Sequence, residues 1–175
     1  MSAELEQLKY PIGRFTAPET YSTEAMQTWI NEIRVLPSQI RKAVTALNGE
    51  QLNTPYRPDG WTIKQVVHHL ADSHMNSLIR FKWTLTEQTP TIKAYHEAEW
   101  AKLPDYQLPV ESSLIMLEGI HQHMVALFEA LSPEQWELKF IHPQQNNEVP
   151  LKRNLALYAW HGKHHLQHIL NTFKQ

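Results

Sequence analysis

The chain has 175 residues, of which 42% are hydrophobic, and its 16 Lys and Arg nearly balance its 18 Asp and Glu, for a formal net charge of -2. This composition indicates a single globular domain over residues 1–175, and it lacks both cysteine and the dense basic block of a nucleic-acid-binding surface. Because no apolar stretch approaches the roughly 18 residues of a membrane span, we expect a cytoplasmic protein that binds neither membranes nor nucleic acid.

The first quarter of the chain predicts an arm followed by helix. Residues 1–20 contain two prolines and a glycine without sustained periodicity, which predicts an extended N-terminal arm. A helical pattern over residues 22–47 predicts either one helix kinked at Pro37 or two shorter helices. We expect the Asn48-Gly49 pair to end this pattern.

The rest of the chain predicts three more long helices. Residues 62–87 contain neither Pro nor Gly and form a long helix, while residues 89–110 contain three prolines and predict a long central crossover loop. A helix over residues 111–131, a short extended piece within residues 138–150 and a last helix over residues 151–173 complete the chain. The predicted fold is an all-α four-helix bundle, with functional sites between facing helices.

Histidine is the unusual residue of this chain, because it occurs 11 times and is clustered. The last helix carries two pairs spaced four residues apart, His161 with His165 and His164 with His168, and residues at this spacing share one helix face. The apolar stripe places His161 and His165 at the edge of the buried face, and His164 and His168 outward or toward a neighbour. Either pair could bind one metal ion, although such a pair alone is more often a surface feature.

A third ligand must come from another element, and the helix over residues 62–87 offers His69. His69 belongs to a mostly polar stripe that needs partners inside the fold, since an unsatisfied buried polar group costs about 1–3 kcal/mol. The stripe consists of Thr62, Val66, His69, Ser73, Asn76, Arg80 and Trp83. His68 points about 100° away and is the weaker candidate. Asp72 is interpreted as a group that orients a ligand, as a substrate contact or as a solvated acid.

Several other conspicuous residues receive plainer interpretations. Trp61 and Trp160 are interpreted as core anchors rather than as a binding platform. Four other histidines are interpreted as solvated or hydrogen-bonded side chains, and they are His96, His121, His123 and His142.

Three stretches of the chain carry a family resemblance, namely LKYPIGRF, YRPDGWTIKQVVHHLADSHMNSLIRFK and LYAWHGKHHLQHI. Together they resemble the DinB/YfiT-like superfamily, most closely its branch of metal-dependent hydrolases, which is related to the bacillithiol S-transferases. The resemblance implies a four-helix bundle, a homodimer and a divalent metal held by the histidine of an HLAD motif and both histidines of an HxxxH motif. These match His69, His161 and His165, and the Gly162-Lys163 dipeptide inside HxxxH is interpreted as variable filling.

Three neutral imidazoles without a fourth protein ligand describe an open site, which zinc fits best, while nickel, cobalt and manganese suit the same ligands. The function expected first is hydrolysis of a small-molecule substrate by water that the metal activates. Two alternatives stay open: S-transfer with a low-molecular-weight thiol, which family analogy supports, and a non-catalytic metal-binding module of a stress response. No residue is assignable as the general base. Groups that recognise the substrate are expected in residues 89–110 and around Arg80 and Tyr158.

Overall fold

Four long helices form the body of the protein in a computed structural model that describes residues 3–144 and 146–173. In chain order the elements are α1 (Ala3–Lys9), α2 (Thr23–Val44), α3 (Gly49–Leu52), α4 (Ile63–Thr86), α5 (Glu97–Trp100), a 3-10 turn (Pro104–Gln107), α6 (Val110–Ala130), α7 (Pro133–Trp136), β1 (Lys139–His142), β2 (Asn147–Pro150) and α8 (Leu151–Thr172). The prediction of an all-α four-helix bundle is confirmed. The stretch predicted to hold an extended piece forms an antiparallel hairpin of β1 and β2.

Two long helices, α2 and α8, point in one direction along the bundle. The other two, α4 and α6, point in the opposite direction. α4 and α6 are parallel neighbours, because His68 contacts Ser113 near the start of both helices and Phe81 packs on Phe128 further along. α8 packs antiparallel to α4 and parallel to α2, and α2 also packs against α6. α2 therefore lies diagonally opposite α4, and α6 lies diagonally opposite α8.

Parallel neighbours need a connection that returns along the bundle, and residues 87–109 provide it. Near the end of α4, the backbone N–H of Ile92 donates to the carbonyl of Ile141 in β1 at 3.1 Å. Near the start of α4, the side chain of Gln65 donates to the carbonyl of Ala101 at 3.1 Å. The predicted crossover loop therefore runs the length of the bundle.

Two apolar clusters fill the bundle, one toward each end, and a buried polar layer separates them. Phe81, Phe128 and Trp136 belong to one cluster, and Ile40 and Leu70 belong to the other. The layer between them includes the buried side chains of His69, Ser73, His74, Ser77, His121 and His165. Because buried polar groups need partners, this layer is where a site is expected.

The helix α2 is a single segment that continues through Pro37, so of the two predicted alternatives one helix is found. It approaches α8 closely at Gly162, where an added Cβ atom would lie 2.4 Å from Cδ2 of the buried Leu36. A side chain at position 162 would therefore displace the Leu36 side chain, so the close approach of the two helices favours glycine there.

The N-terminal arm is partly helical, which corrects the prediction of an extended segment over residues 1–20. α1 carries acids in its first turn and Lys9 in its last turn, as the helix dipole favours. Asn48 also acts differently from its prediction, because it forms the N-terminal capping box of α3 with Gln51. Among the helices of the described residues, none combines the length and apolar character needed to cross a membrane.

Candidate metal centre

Three histidines meet where α4 and α8 pack against each other. His69 lies in the second turn of α4, and His161 and His165 lie one turn apart on α8. Nε2 of His69 lies 3.2 Å from Nε2 of His161, and the ring of His165 lies 4.9 Å and 4.6 Å from the rings of His69 and His161. One ligand nitrogen of each lies within 4.8 Å of the other two. The structure thus brings together the three residues that the sequence singled out.

The nitrogen atoms of this trio suit a divalent cation. Two ligands of a tetrahedral zinc ion, each 2.0–2.1 Å from the metal, lie about 3.3 Å apart. The two Nε2 atoms of His69 and His161 are separated by 3.2 Å. Nδ1 of His69 is buried and has no hydrogen-bond partner within the described part of the chain. Three imidazole nitrogens that converge at this spacing form a donor set that suits a divalent metal ion.

A chain of histidines, which we name the inner relay, fixes the tautomer of His161. Nδ1 of His121 donates to the backbone carbonyl of Ile33 at 2.5 Å, because a carbonyl can only accept. The other nitrogen of a neutral imidazole is an acceptor, so Nε2 of His121 accepts from Nδ1 of His74 at 2.9 Å. Nε2 of His74 in turn accepts from Nδ1 of His161 at 3.3 Å. The lone pair of His161 is left on Nε2, the nitrogen that faces His69.

The carbonyl at the end of the inner relay is available because of a proline. In an α-helix the carbonyl of residue i accepts from the N–H of residue i+4. For Ile33 that residue is Pro37, which has no N–H. His121 supplies the donor from α6 instead. The proline inside α2 therefore opens a backbone acceptor toward the bundle interior at the level of the histidine trio.

A second chain, which we name the outer relay, fixes the tautomer of His165. Nε2 of His168 donates to the backbone carbonyl of Lys9, in the last turn of α1, at 3.2 Å. Nδ1 of His168 is then an acceptor and receives the Nδ1 hydrogen of His165 at 3.3 Å. The lone pair of His165 is again left on Nε2. Metal-binding histidines usually donate their other N–H to such a partner, and two of the three histidines here do so.

Burial keeps the imidazoles of both relays neutral. Desolvation lowers the pKa of His121 and of His168 to about 4. Desolvation, and secondarily the neighbouring histidines, holds the pKa of His74, His161 and His165 well below the ordinary value of 6.5. Neutral imidazoles are required both by the donor and acceptor order of the relays and by metal binding.

His164 and His168 are buried, so of the two predicted alternatives the one that directs them toward a neighbour is found. The neighbour toward which they point is the N-terminal segment of the same chain. The ring of His164 stacks on Trp160 at 4.6 Å and lies 6.0 Å from the ring of Tyr10. Trp160 therefore packs against a histidine beside the centre, and it belongs to neither of the two apolar clusters, so its predicted role as a core anchor is not found.

A second trio, formed by His164, His165 and His168, also has the spacing of metal ligands. Both nitrogens of His168 are engaged, one with the carbonyl of Lys9 and one with His165. The hydrogen-bond pattern thus favours the pair His161 and His165 over the pair His164 and His168 as the place for an ion.

Two candidates from the sequence lie outside the trio. Nε2 of His68 lies 3.2 Å from the carbonyl of Leu108, so this side chain contacts the crossover loop. Asp72 accepts a hydrogen bond from the Tyr106 hydroxyl at 2.7 Å, and burial raises its pKa. No hydrogen bond joins Asp72 to a histidine of the trio within the described residues, so of its three interpretations the structure does not support the orienting one.

Trp61 forms one wall of the centre. Its ring lies 4.6 Å from the ring of His69 and is nearly parallel to that of His165 at 6.5 Å. The interpretation of Trp61 as a core anchor is therefore incomplete. On the other side, Tyr158 is buried with its ring 5.6 Å from that of His161, and Nη1 of Arg80 donates to its hydroxyl at 3.4 Å.

Sequence reasoning missed the role of His74 and left His121 among solvated or hydrogen-bonded residues. One signal could have found them. A proline in the middle of a buried helix leaves the carbonyl four residues earlier without its helical donor, so a donor on a facing helix is needed. His121 is such a donor, and His74 lies five residues beyond His69 on the helix next to it.

The fold and the centre define a four-helix bundle whose histidine cluster is suited to a divalent metal. Residues 32–169 match the DinB superfamily, and the chain belongs to this superfamily. A Bacillus cereus (strain 03BB102) protein, which its name assigns provisionally to the metal-dependent hydrolases, is 50% identical over 171 residues, or 98% of both chains.

Two solved structures are similar to this chain. The protein YfiT from Bacillus subtilis, described as a probable metal-dependent hydrolase with an unusual four-helix bundle topology, matches with a TM-score of 0.92 at 42% identity over 95% of both chains. A mycothiol-dependent maleylpyruvate isomerase shares the fold, with a TM-score of 0.66 at 15% identity over 82% of this chain and 60% of the isomerase.

Proposed function

We propose that the protein is a metal-dependent hydrolase of a small-molecule substrate, and that Nε2 of His69, His161 and His165 hold one divalent cation, with zinc favoured. The observation that carries this proposal is the pair of relays, which separately leave a lone pair on Nε2 of His161 and of His165. The names of the relatives support the same class of protein. The homodimer implied by the family resemblance is part of the proposal.

Three protein ligands leave a metal ion with an open coordination position, where it polarises a substrate and lowers the pKa of water to about 7. The chain's own residues prepare this position. Because the three imidazoles are neutral, they leave the positive charge of the site uncompensated. The two relays hold the rings of His161 and His165 in place, and the ring of Trp61 packs against that of His69. No side chain of the described residues is assigned as a general base.

The ligand set is tested by the metal content of purified variants. We expect about one divalent ion per chain in the wild type and in His123→Ala, a control at an exposed histidine of α6. His69→Ala and His165→Ala should lose the ion because two imidazoles remain. Full metal content in His69→Ala, together with loss of metal in His164→Ala and His165→Ala, would show that the other histidine trio holds the ion.

The reaction is tested with the metal-loaded protein. One set of incubations contains ester, amide and lactam panels, and a second contains a low-molecular-weight thiol with a panel of electrophiles. Products of water addition that disappear in His69→Ala support hydrolysis. Thiol adducts without hydrolysis would replace it by S-transfer. A metal-loaded protein that turns over nothing in either set would instead be a binding module.

A further inference from the structure

Arg80 carries a buried positive charge without an acidic partner. Arg80 is 8% exposed. It takes part in none of the ion pairs found among the described residues. Removing a charge from water without a partner is costly. An arginine kept in this state is therefore suited to an anion that arrives from outside the protein.

The free side of the guanidinium has the geometry of a carboxylate site. Nη1 donates to the hydroxyl of Tyr158, whereas Nε is buried without a partner, and Nη2 makes no hydrogen bond to the described residues although it is not sealed from solvent. Nε and Nη2 form one edge of the planar group, and such an edge binds a carboxylate through two parallel hydrogen bonds. The hydroxyl of Tyr158 accepts from Arg80, which leaves its own hydrogen to donate to the same anion.

The groups beside Arg80 include two further hydrogen-bonding side chains, His142 and Tyr95. His142 at the end of β1 has a buried Nδ1 without a partner among the described residues. Desolvation, and secondarily the positive charge of Arg80, lower the pKa of His142, which places this ring beside the arginine. Tyr95, in the crossover loop, is also within the electrostatic reach of Arg80 and Tyr158, and burial raises its pKa.

The Nε and Nη2 edge of Arg80 and the histidine trio lie along the same face of α4. His69, Ser73, Asn76 and Arg80 recur at intervals of four, three and four residues, and Ser73 is buried between the two ends. Side chains of an α-helix lean toward its N-terminus, so Arg80 reaches back in the direction of His69. Tyr158 lies one turn before His161 on α8 and contacts both regions.

We propose that Arg80 and Tyr158 bind a carboxylate of the substrate while the reacting group of the same molecule occupies the open position at His69, His161 and His165. The inference rests on the proposed function and narrows its substrates to small anionic molecules. The carboxylate must be separated by several bonds from the group that reacts, because Tyr158 stands between the two regions.

The test uses two matched series of probes, ω-mercaptocarboxylates and ω-mercaptoalcohols of the same chain lengths, bound to the zinc-loaded protein and followed by calorimetry. The thiolate is a good zinc ligand in both series, so only the far end differs. We expect the best acid to bind about tenfold to a hundredfold more tightly than its alcohol. Arg80→Gln should abolish this preference and leave affinity for the alcohol unchanged. Arg34→Gln, at an exposed arginine paired with Glu129, should retain the preference.

Two more conservative variants control for the possibility that Arg80→Gln unfolds the protein. Arg80→Lys keeps the charge without the two-nitrogen edge, and Tyr158→Phe keeps the ring, so each should reduce the preference for the acid by a few fold.

Equal affinity for acid and alcohol in the zinc-loaded wild type would overturn the inference and leave the proposed function standing. If no zinc binds, the proposed function is wrong. The carboxylate site at Arg80 is then tested by adding glutarate to the metal-free protein and measuring its melting temperature. A melting temperature raised by glutarate in the wild type and not in Arg80→Gln supports the site, and no rise in either overturns it.

Discussion

The inner and outer relays each fix the tautomer of one histidine of the trio, but the backbone segments on which they end differ in burial. The inner relay ends on a carbonyl in the middle of α2, and its histidines His74 and His121 are 0% and 2% exposed between three packed helices. The outer relay ends on the carbonyl of Lys9 in α1, a helix of seven residues that contains no buried side chain. Two candidate ligands of one site are thus oriented in different ways, one from the bundle core and one from a short helix without buried side chains.

This difference has an energetic basis. The inner carbonyl moves only if α2 separates from α6, which requires disruption of the core. The outer carbonyl moves if α1 leaves α8, and segments with few buried apolar contacts open at low free-energy cost. We therefore expect His161 to be rigid in all conditions and His165 to respond to the state of the N-terminal segment.

Acidification should have the largest effect because it charges both relays. Histidine in the unfolded chain titrates near 6.5, whereas burial lowers the pKa of His121 to about 4. The stabilisation that depends on neutral imidazoles is complete above pH 6.5 and is lost as the pH falls toward 4, because the unfolded chain takes up protons first. For His121 alone the loss is about 3 kcal/mol.

Thermal melts with and without chelator measure this effect. We expect the melting temperature of the chelated protein to fall steeply between pH 6.5 and 4.5, and the gain from bound metal to vanish over the same range as protons displace the ion. A melting temperature that stays constant with pH would contradict the presence of buried neutral relays.

Breaking the inner relay should have the next largest effect. His121→Leu leaves the carbonyl of Ile33 and Nδ1 of His74 without partners, at about 1–3 kcal/mol of unfolding free energy each. Zinc affinity should fall about tenfold, at the lower end of the effect of removing a direct partner of a metal-binding histidine, because His121 acts on His161 through His74. His123→Leu, two residues further along α6 and exposed, serves as the control. Zinc affinity equal to that of the control would show that His121 does not support the orientation of His161.

Breaking the outer relay should reduce zinc affinity with less loss of stability. His168→Leu removes the acceptor for the Nδ1 hydrogen of His165, so affinity should fall about 10–100-fold. His168→Asn places an amide oxygen near the former Nδ1 position and should recover most of the affinity. If Asn and Leu weaken zinc binding equally, His168 acts through packing rather than through its hydrogen bond.

Removing residues 1–9 should have the smallest effect. The deletion takes away the carbonyl of Lys9, and water can then accept the Nε2 hydrogen of His168, at a modest entropic cost. We expect zinc affinity to fall less than in His168→Leu and zinc exchange, followed with a coloured chelator, to accelerate. Exchange as slow as in the full chain would show that the N-terminal segment does not support His165.

Much of the fold could be predicted from local patterns. The stretch over residues 62–87 is free of Pro and Gly, and its apolar period gave α4 to within one residue at each end. The prolines of residues 89–110 identified the crossover loop. α1 was not predictable, because seven residues without a buried side chain leave no apolar stripe to detect.

The site was predictable only in part. His69, His161 and His165 could be selected because helical spacing decides which residues share a face. The relays could not be, because they depend on which helices are neighbours. The link from Ile33 to His121 spans 88 residues of chain and requires that α2 packs against α6. The burial of His164 and His168 likewise depends on α1, which the sequence pattern did not reveal.

The most direct test of the relays is the tautomer of each histidine in the zinc-loaded protein, measured by long-range hydrogen–nitrogen NMR correlation. We expect the hydrogen to lie on Nδ1 in His74, His121, His161 and His165, and on Nε2 in His168. We also expect the zinc-bound nitrogen to be Nε2 in His161 and His165. A hydrogen on Nε2 of His121 would contradict the inner relay, and a hydrogen on Nδ1 of His168 would contradict the outer relay, since the backbone carbonyl at the end of that relay would then receive no donor.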